Sequence, residues 1–157
     1  MSNEIEIGRG KRARRAYSLD DIALVPSRRT RDPEDVNVGW QIDAYHVDIP
    51  IMAAPMDSVM SPETAIAFGK LGGLGVLDLD GLWTRYEDPE PLLEEISHLG
   101  EDESIARLQQ IYSEPIKPSL ITARLAQLRQ AGVVVAGKLS PQRTQKYWRA
   151  VVDAGVD

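Results

Sequence analysis

The sequence predicts an α/β protein assembled from β-then-α units, and three observations carry that expectation. Val47 to Ala54, Leu74 to Leu79 and Val133 to Gly137 are short apolar runs without clean alternation, the pattern of strands covered on both faces. The segments after them carry helix punctuation: Ser61-Pro62 opens and Gly72-Gly73 closes one, and Ser140-Pro141 opens and Gly155 closes another. The joints between the first strand, its helix and the second strand are short, as a βαβ unit requires.

Composition bounds the reading further. A chain of 157 residues with 43% hydrophobic and 27% charged residues and a net charge of −6 fits one ordinary globular domain, not a disordered, collagen-like or coiled-coil chain. It contains no Cys, which removes disulfides, thiolate metal sites and thiol nucleophiles from what the chain can do by itself. No apolar run approaches the ~20 residues that span a bilayer. The first six residues lack the basic-then-apolar order of a secretory signal, so a cytoplasmic protein without membrane contact is expected.

Residues 1–46 read as an N-terminal arm and wrapping segment, and 47–157 as the repeating α/β part. The arm is basic: residues 1–31 hold eight Lys or Arg against four Asp or Glu. The run Arg9 to Arg15 has the charge to contact phosphates, but no aromatics beyond Tyr17 accompany it and the molecule is acidic. A mobile or subunit-docking arm is the preferred reading, and nucleic acid is not an expected partner. Ser18-Leu-Asp-Asp21 has capping-box form, yet Pro26 limits it to a turn.

The helix after Ser61 buries Ala65, Ile66, Phe68 and Leu71. Residues 80–118 are acidic and proline-rich around two weakly helical segments, about 89–99 and 103–113, with Ile105, Leu108 and Ile111 or Tyr112 at helical spacing in the second. Ser119 then opens a helix with the stripe Ile121, Leu125, Leu128, closed by Gly132. Val156-Asp157 resembles the opening of a fourth strand, and the chain reads as a fragment of a larger domain.

The motifs are weighed in the same way. Gly69 to Gly75 is glycine-rich, but a dinucleotide fingerprint needs the strand before the glycines and the helix after, and here the order is inverted, so close helix packing explains them. Ala53-Ala-Pro-Met-Asp-Ser58 follows the first strand, at the end where parallel α/β folds build their sites. Met56 there offers a polarizable face to a planar base, although on pattern alone a turn with a buried Met is the commoner account. His46 and His98 form no ligand pair, and no metal site is expected. Trp40, Trp83 and Trp148 read as packing. Among the carboxylate pairs, Asp78 or Asp80 at the mouth of the second strand is the one that stands out.

Tyr17 to Pro26, Ile49 to Val59, Ala65-Ile-Ala and Gly72 to Leu77, in that order and spacing, resemble the start of the IMP dehydrogenase and GMP reductase family. Ala131 to Val135 and Ala154 to Asp157 resemble the family's approaches to the third and fourth strands. The short link between the second and third strands and the Arg-rich start are similar to the actinobacterial and cyanobacterial branch without CBS modules. Asp78 departs from the His that many members have.

The resemblance implies the first three βα units of a partial TIM (β/α)8 barrel, with an N-terminal extension. It implies an intact oxidoreductase that converts IMP and NAD to XMP and NADH in guanine nucleotide biosynthesis, commonly as a homotetramer, and it leaves potassium open as a further ligand. Substrate contact is carried over to Ala54 and Met56. No catalytic residue is carried over, because the family's Cys lies beyond the sixth strand and is not in this chain, so the fragment itself is expected to be inactive. A GMP reductase-type enzyme using NADPH is the alternative, and a non-catalytic nucleotide- or nucleic-acid-binding module is another. The expected electrophoretic result is no salt-dependent shift of RNA or DNA by residues 1–157; a shift abolished when Arg12, Arg14 and Arg15 become Ala would establish the binding module.

Overall fold

The computed structural model describes residues 4–25 and 32–157. Pro26, Arg28, Arg29 and Arg31, which figure in the expectations above, lie outside the described residues. The chain divides into two compact units, 1–37 and 38–157.

In the first unit part of the basic run is paired in a hairpin. Strand β1 (Glu4–Gly8) pairs antiparallel with β2 (Lys11–Arg14). The register sets Glu4 opposite Arg14 and Glu6 opposite Arg12, so an acidic strand faces a basic one, the arrangement that stabilises cross-strand neighbours. Gly10 supplies the positive φ of the turn, at 70°. Ser18 caps a single 3-10 turn, Leu19–Asp21, its N–H donating to Asp21 Oδ2 at 3.0 Å, and no helix continues past it.

The second unit opens with a hairpin, β3 (Trp40–Ile42) and β4 (Tyr45–Val47), turned at Asp43 with φ 48°. The expected first strand, Val47 to Ala54, is corrected here. Val47 belongs to β4, and the chain beyond it makes one parallel bridge, Met52 with Leu74. Ile49 N–H to Gly72 O, Leu74 N–H to Ile51 O and Ala53 N–H to Leu74 O, at 2.9–3.0 Å, keep it alongside the next strand. Pro50 and Pro55 offer no N–H, which breaks the ladder, and Ile51 and Met52 are exposed instead of covered on both faces.

Helix α1 (Pro62–Lys70) forms, with Ser61 Oγ accepting the Thr64 N–H at 3.0 Å, but of its expected buried stripe only Ala65 is buried: Ile66 and Phe68 are part-buried, and Leu71, at the helix end, is exposed. Gly72, at φ 93°, ends it in a Schellman motif in which Gly73 N–H reaches Phe68 O. Strand β5 (Val76–Asp78) follows and pairs parallel with β6 (Ala136–Lys138), Val76 opposite Ala136. The third strand thus begins three residues later than expected. Val133 is taken up by the stop of the preceding helix, its N–H bonding Leu128 O at 3.4 Å.

Between β5 and β6 lie α2 (Glu90–Ser97), α3 (Glu101–Ser113) and α4 (Pro118–Gln130). Helix α4 starts one residue before Ser119, with Lys117 at the cap and Pro118 in the first turn. Its expected stripe is fully buried, and Ile121, Leu125 and Leu128 meet Leu77, Leu79, Val135 and, from α5 (Pro141–Asp153), Tyr147 and Val151. Ser140 precedes α5 without capping it through its side chain. Beyond Gly155 at φ 77°, Asp157 N–H donates to Val135 O at 3.0 Å and Val135 N–H to the Asp157 side-chain Oδ2 at 2.8 Å, which ties the last residue beside the approach to β6.

The glycine-rich stretch is a packing device. A Cβ on Gly75 would lie 2.8 Å from the Ala65 Cα and 2.9 Å from its carbonyl oxygen, and one on Gly69 would lie 2.8 Å from the Val133 side chain. Gly75→Ala is expected to cost about 1–3 kcal/mol, since backbone cannot yield as a flexible side chain does. Chemical denaturation checks this, and an unchanged midpoint would contradict the packing account.

Candidate functional site

The parallel strands give the second unit two distinct ends. At the amino ends Tyr45, from β4, hydrogen-bonds the Asp157 carboxylate beside Val135, and that bond raises the Tyr45 pKa. At the carboxyl ends stand the 54–58 turn, Asp78 and Asp80 after β5, and Lys138 closing β6. The carboxyl ends are the side on which open parallel sheets receive ligands.

Lys138 Nζ lies 3.3 Å from Asp78 Oδ1 and 3.8 Å from Asp80 Oδ2. Asp80 Oδ2, two residues beyond β5, accepts the Ser140 N–H at 2.7 Å and so holds the residue that precedes α5. Asp78 Oδ1 in turn accepts the Asp80 N–H at 3.0 Å. The carboxylate pair singled out in the sequence therefore joins two strand ends through one lysine.

Ala54 and Met56 both face outward. Met56 is 50% exposed, which overturns the buried-Met reading of this turn. Its N–H donates to Ala54 O at 2.9 Å, and its carbonyl accepts the Val59 and Met60 N–H groups at 2.9 and 2.8 Å, closing a tight turn anchored by buried Met60. Of the tryptophans only Trp83 is buried; Trp40 and Trp148 are about half exposed and do not pack the core.

The residue next to Met56 organises the surroundings. Asp57 Oδ2 accepts the Leu82 N–H at 2.7 Å and the Tyr112 hydroxyl in a short hydrogen bond. Its other oxygen is buried with no hydrogen-bond partner, against Gly81, where a Cβ would come within 2.1 Å. Burial pushes the Asp57 carboxyl above its ordinary range, and the hydrogen bonds from Tyr112 and Leu82 pull it back only in part. Burial and the hydrogen bond to Asp57 drive the Tyr112 pKa upward as well. Asp57, Ser58, Leu82, Leu93 and Ile96 of α2, and Leu108 and Tyr112 of α3 line an otherwise apolar cavity of about 390 Å³.

Two buried arginines shape the segment after β5. Arg124 Nε donates to Trp83 O at 3.0 Å, and its Nη2 to Tyr86 O at 3.2 Å and Glu87 O at 2.6 Å. Arg85 Nη2 donates to Asp80 O at 2.9 Å, and its Nη1 to Glu114 O in a short hydrogen bond. Neither arginine nor the role of Asp57 was legible in the sequence: a cation that binds carbonyls has no sequence partner to betray it. Among the described residues no group of three or more His, Cys, Asp or Glu is placed to hold a metal ion, and no helix is long and apolar enough to cross a membrane.

The second unit is an α/β fold whose β5 and β6 pair in parallel, with Asp78, Asp80, Lys138 and the 54–58 turn at their carboxyl ends. The relatives make this more specific. A profile of the IMP dehydrogenase / GMP reductase domain matches residues 16–157, and the chain belongs to that family. It is 44% identical over 158 residues to an uncharacterized oxidoreductase of Mycolicibacterium smegmatis, covering 98% of this chain and 42% of that protein. An uncharacterized oxidoreductase of Mycobacterium tuberculosis is 46% identical with the same coverage. The inosine-5'-monophosphate dehydrogenase of Methanocaldococcus jannaschii is 43% identical over 65 residues, 41% of this chain and 13% of that one.

The crystal structure of an IMP dehydrogenase/GMP reductase-like protein from Corynebacterium glutamicum superposes with a TM-score of 0.82 at 41% identity, covering 99% of this chain and 43% of that one. The chain thus spans less than half the length of these longer relatives.

Because the folded-state pKa of Asp57 is raised, its contribution to stability is full below the unfolded-state pKa and is lost as pH rises through the folded value. Asp57→Asn, which removes the buried charge, is expected to raise the melting temperature at neutral pH, with the gain shrinking as the medium is acidified into the carboxylate range. A melting difference independent of pH would show that the charge at Asp57 carries no penalty.

Proposed function

We propose that the chain supplies the first three βα units of a TIM (β/α)8 barrel, and that the 54–58 turn contributes to a purine nucleotide site on its rim. The observation that carries this reading is the half-exposed Met56, held in a tight turn at the carboxyl side of parallel strands in a chain of this family. Its thioether offers a soft, polarizable surface against which a flat purine packs, and Ala54 beside it leaves room for close approach.

The activity is that of an IMP dehydrogenase-type oxidoreductase, oxidising IMP to XMP with NAD in an assembly taken to be the homotetramer common in the family. The residues of this chain contribute binding and orientation. The chain contains no Cys, so it contributes no thiol to covalent chemistry.

The described residues do not fit a dinucleotide cradle. Where a Cβ on Gly72, Gly73 or Gly75 would stand, Asp48, Phe68 and Ala65 already crowd the space, and these glycines close a helix instead of opening one. The NAD requirement therefore rests on the family relation, and no step is derived through the cofactor.

IMP is expected to bind the full chain, and Met56→Ala to weaken that binding roughly two- to tenfold, the range of one sulfur–ring contact. Titration calorimetry checks the affinity, and NADH formation with IMP by the intact enzyme that carries this segment checks the reaction. Equal IMP affinity in Met56→Ala would remove Met56 from the site, and NADPH consumption with GMP in place of NADH formation would assign the reductase activity.

A further inference from the structure

We propose that Tyr112 is a positioning residue for the nucleotide turn: its hydroxyl, bound to the Asp57 carboxylate, couples the seating of α3 to the placement of Met56. The inference rests on the reading of Met56 as a nucleotide contact and adds to it a control element carried by the segment between β5 and α4.

Two remote positions converge on one carboxyl group. Asp57 directly follows Met56, Leu82 is 25 residues on, and Tyr112 is 55 residues on. The carboxyl has little freedom to swing, because its second oxygen is buried against Gly81 and any side chain there would occupy the same space. Tyr112 is held in turn by Arg85, whose guanidinium stands 5.4 Å from the ring centroid and is itself fixed on two backbone carbonyls.

Attachment of α3 does not need this bond. Ile111 is buried, Tyr86 Oη donates to Ile111 O at 3.0 Å, and Arg107 grips Glu95 of α2 through Nε and Nη2 at 2.7 and 2.8 Å. The Tyr112 hydroxyl is thus surplus to holding the helix. What it does secure is the turn, whose own ties to its surroundings beyond Met60 are the two bonds that Asp57 accepts. A hydroxyl placed on a buried carboxylate also offsets part of the cost of keeping that charge out of water.

Coupling of this kind is reciprocal: if the latch orders Met56 for nucleotide, nucleotide also stabilises the latch. The coupling runs from Met56 along the main chain to Asp57, and from the Asp57 carboxylate through Tyr112 to Arg85.

The test compares IMP affinity and melting temperature in the full chain and three variants. Tyr112→Phe is expected to raise the Kd for IMP roughly three- to tenfold, the factor that one hydrogen bond of ordinary strength supplies. Asp57→Asn, which keeps an oxygen to accept both Leu82 N–H and the Tyr112 hydroxyl but alters the turn itself, is expected to raise the Kd by no more than Tyr112→Phe does. Arg107→Ala, which loosens α3 from α2 without touching Asp57, is expected to lower the melting temperature while keeping the wild-type Kd.

An unchanged Kd in Tyr112→Phe, or an equal loss in Arg107→Ala, overturns the latch and leaves the Met56 reading standing. A tenfold loss in Asp57→Asn with Tyr112→Phe unaffected makes Asp57 a ligand contact and also overturns it. Failure of the wild-type chain to bind IMP overturns the nucleotide reading itself, and the latch with it.

Discussion

A carboxyl group kept out of water is the constraint on which the rim depends. Asp57 would be cheaper as an amide or in solvent, and the chain sustains it with a glycine that clears space and with N–H and O–H donors aimed at one of its oxygens. Groups held against their solvation preference mark places where shape matters more than stability. The bare Gly81, the Leu82 N–H and the Tyr112 hydroxyl beside the 54–58 turn all accommodate that one side chain.

The scaffold behind it is built by subtraction. Gly69 and Gly75 remove the methyl groups that would keep α1 away from Val133 and push it off β5, and the buried aliphatic side chains of α4 and the two paired strands fill the volume so closed. Prolines do the complementary work. Pro62, Pro118 and Pro141 each sit in a first helical turn, where the lost N–H is one the helix does not use. Pro50 and Pro55, lacking the same donor in an extended stretch, interrupt a strand instead.

Much of this arrangement was legible before any coordinates. The Ser61 cap, the positive-φ glycines at 72, 132 and 155, the buried stripe of α4 and the parallel order of the units are local chemistry, and local chemistry is written in short windows of sequence. Strand limits were not, because a helix stop consumes Val133 and proline breaks the ladder before Ala54, and those outcomes depend on what lies alongside. The N-terminal hairpin was not legible, because its register sets Glu4 and Glu6 opposite Arg14 and Arg12 in a stretch whose charge alone shows no strand pattern. The site was legible as a turn and as a Met. Its organisation was not, since residues 25 and 55 positions away from Asp57 carry no spacing that a periodic pattern would reveal.

Arg124 and Arg85 fasten the segment after β5 by giving their protons to main-chain oxygens. Guanidinium stays charged at any pH a cell reaches, and peptide carbonyls have nothing to titrate. The segment around Asp57 is therefore fastened without an acidic partner, and no second carboxylate has to stay ionised for these two arginines to hold it. The mount of Asp57 and the carboxyl it encloses thus rest on different chemistry, which separates the adjustable part of the molecule from its support.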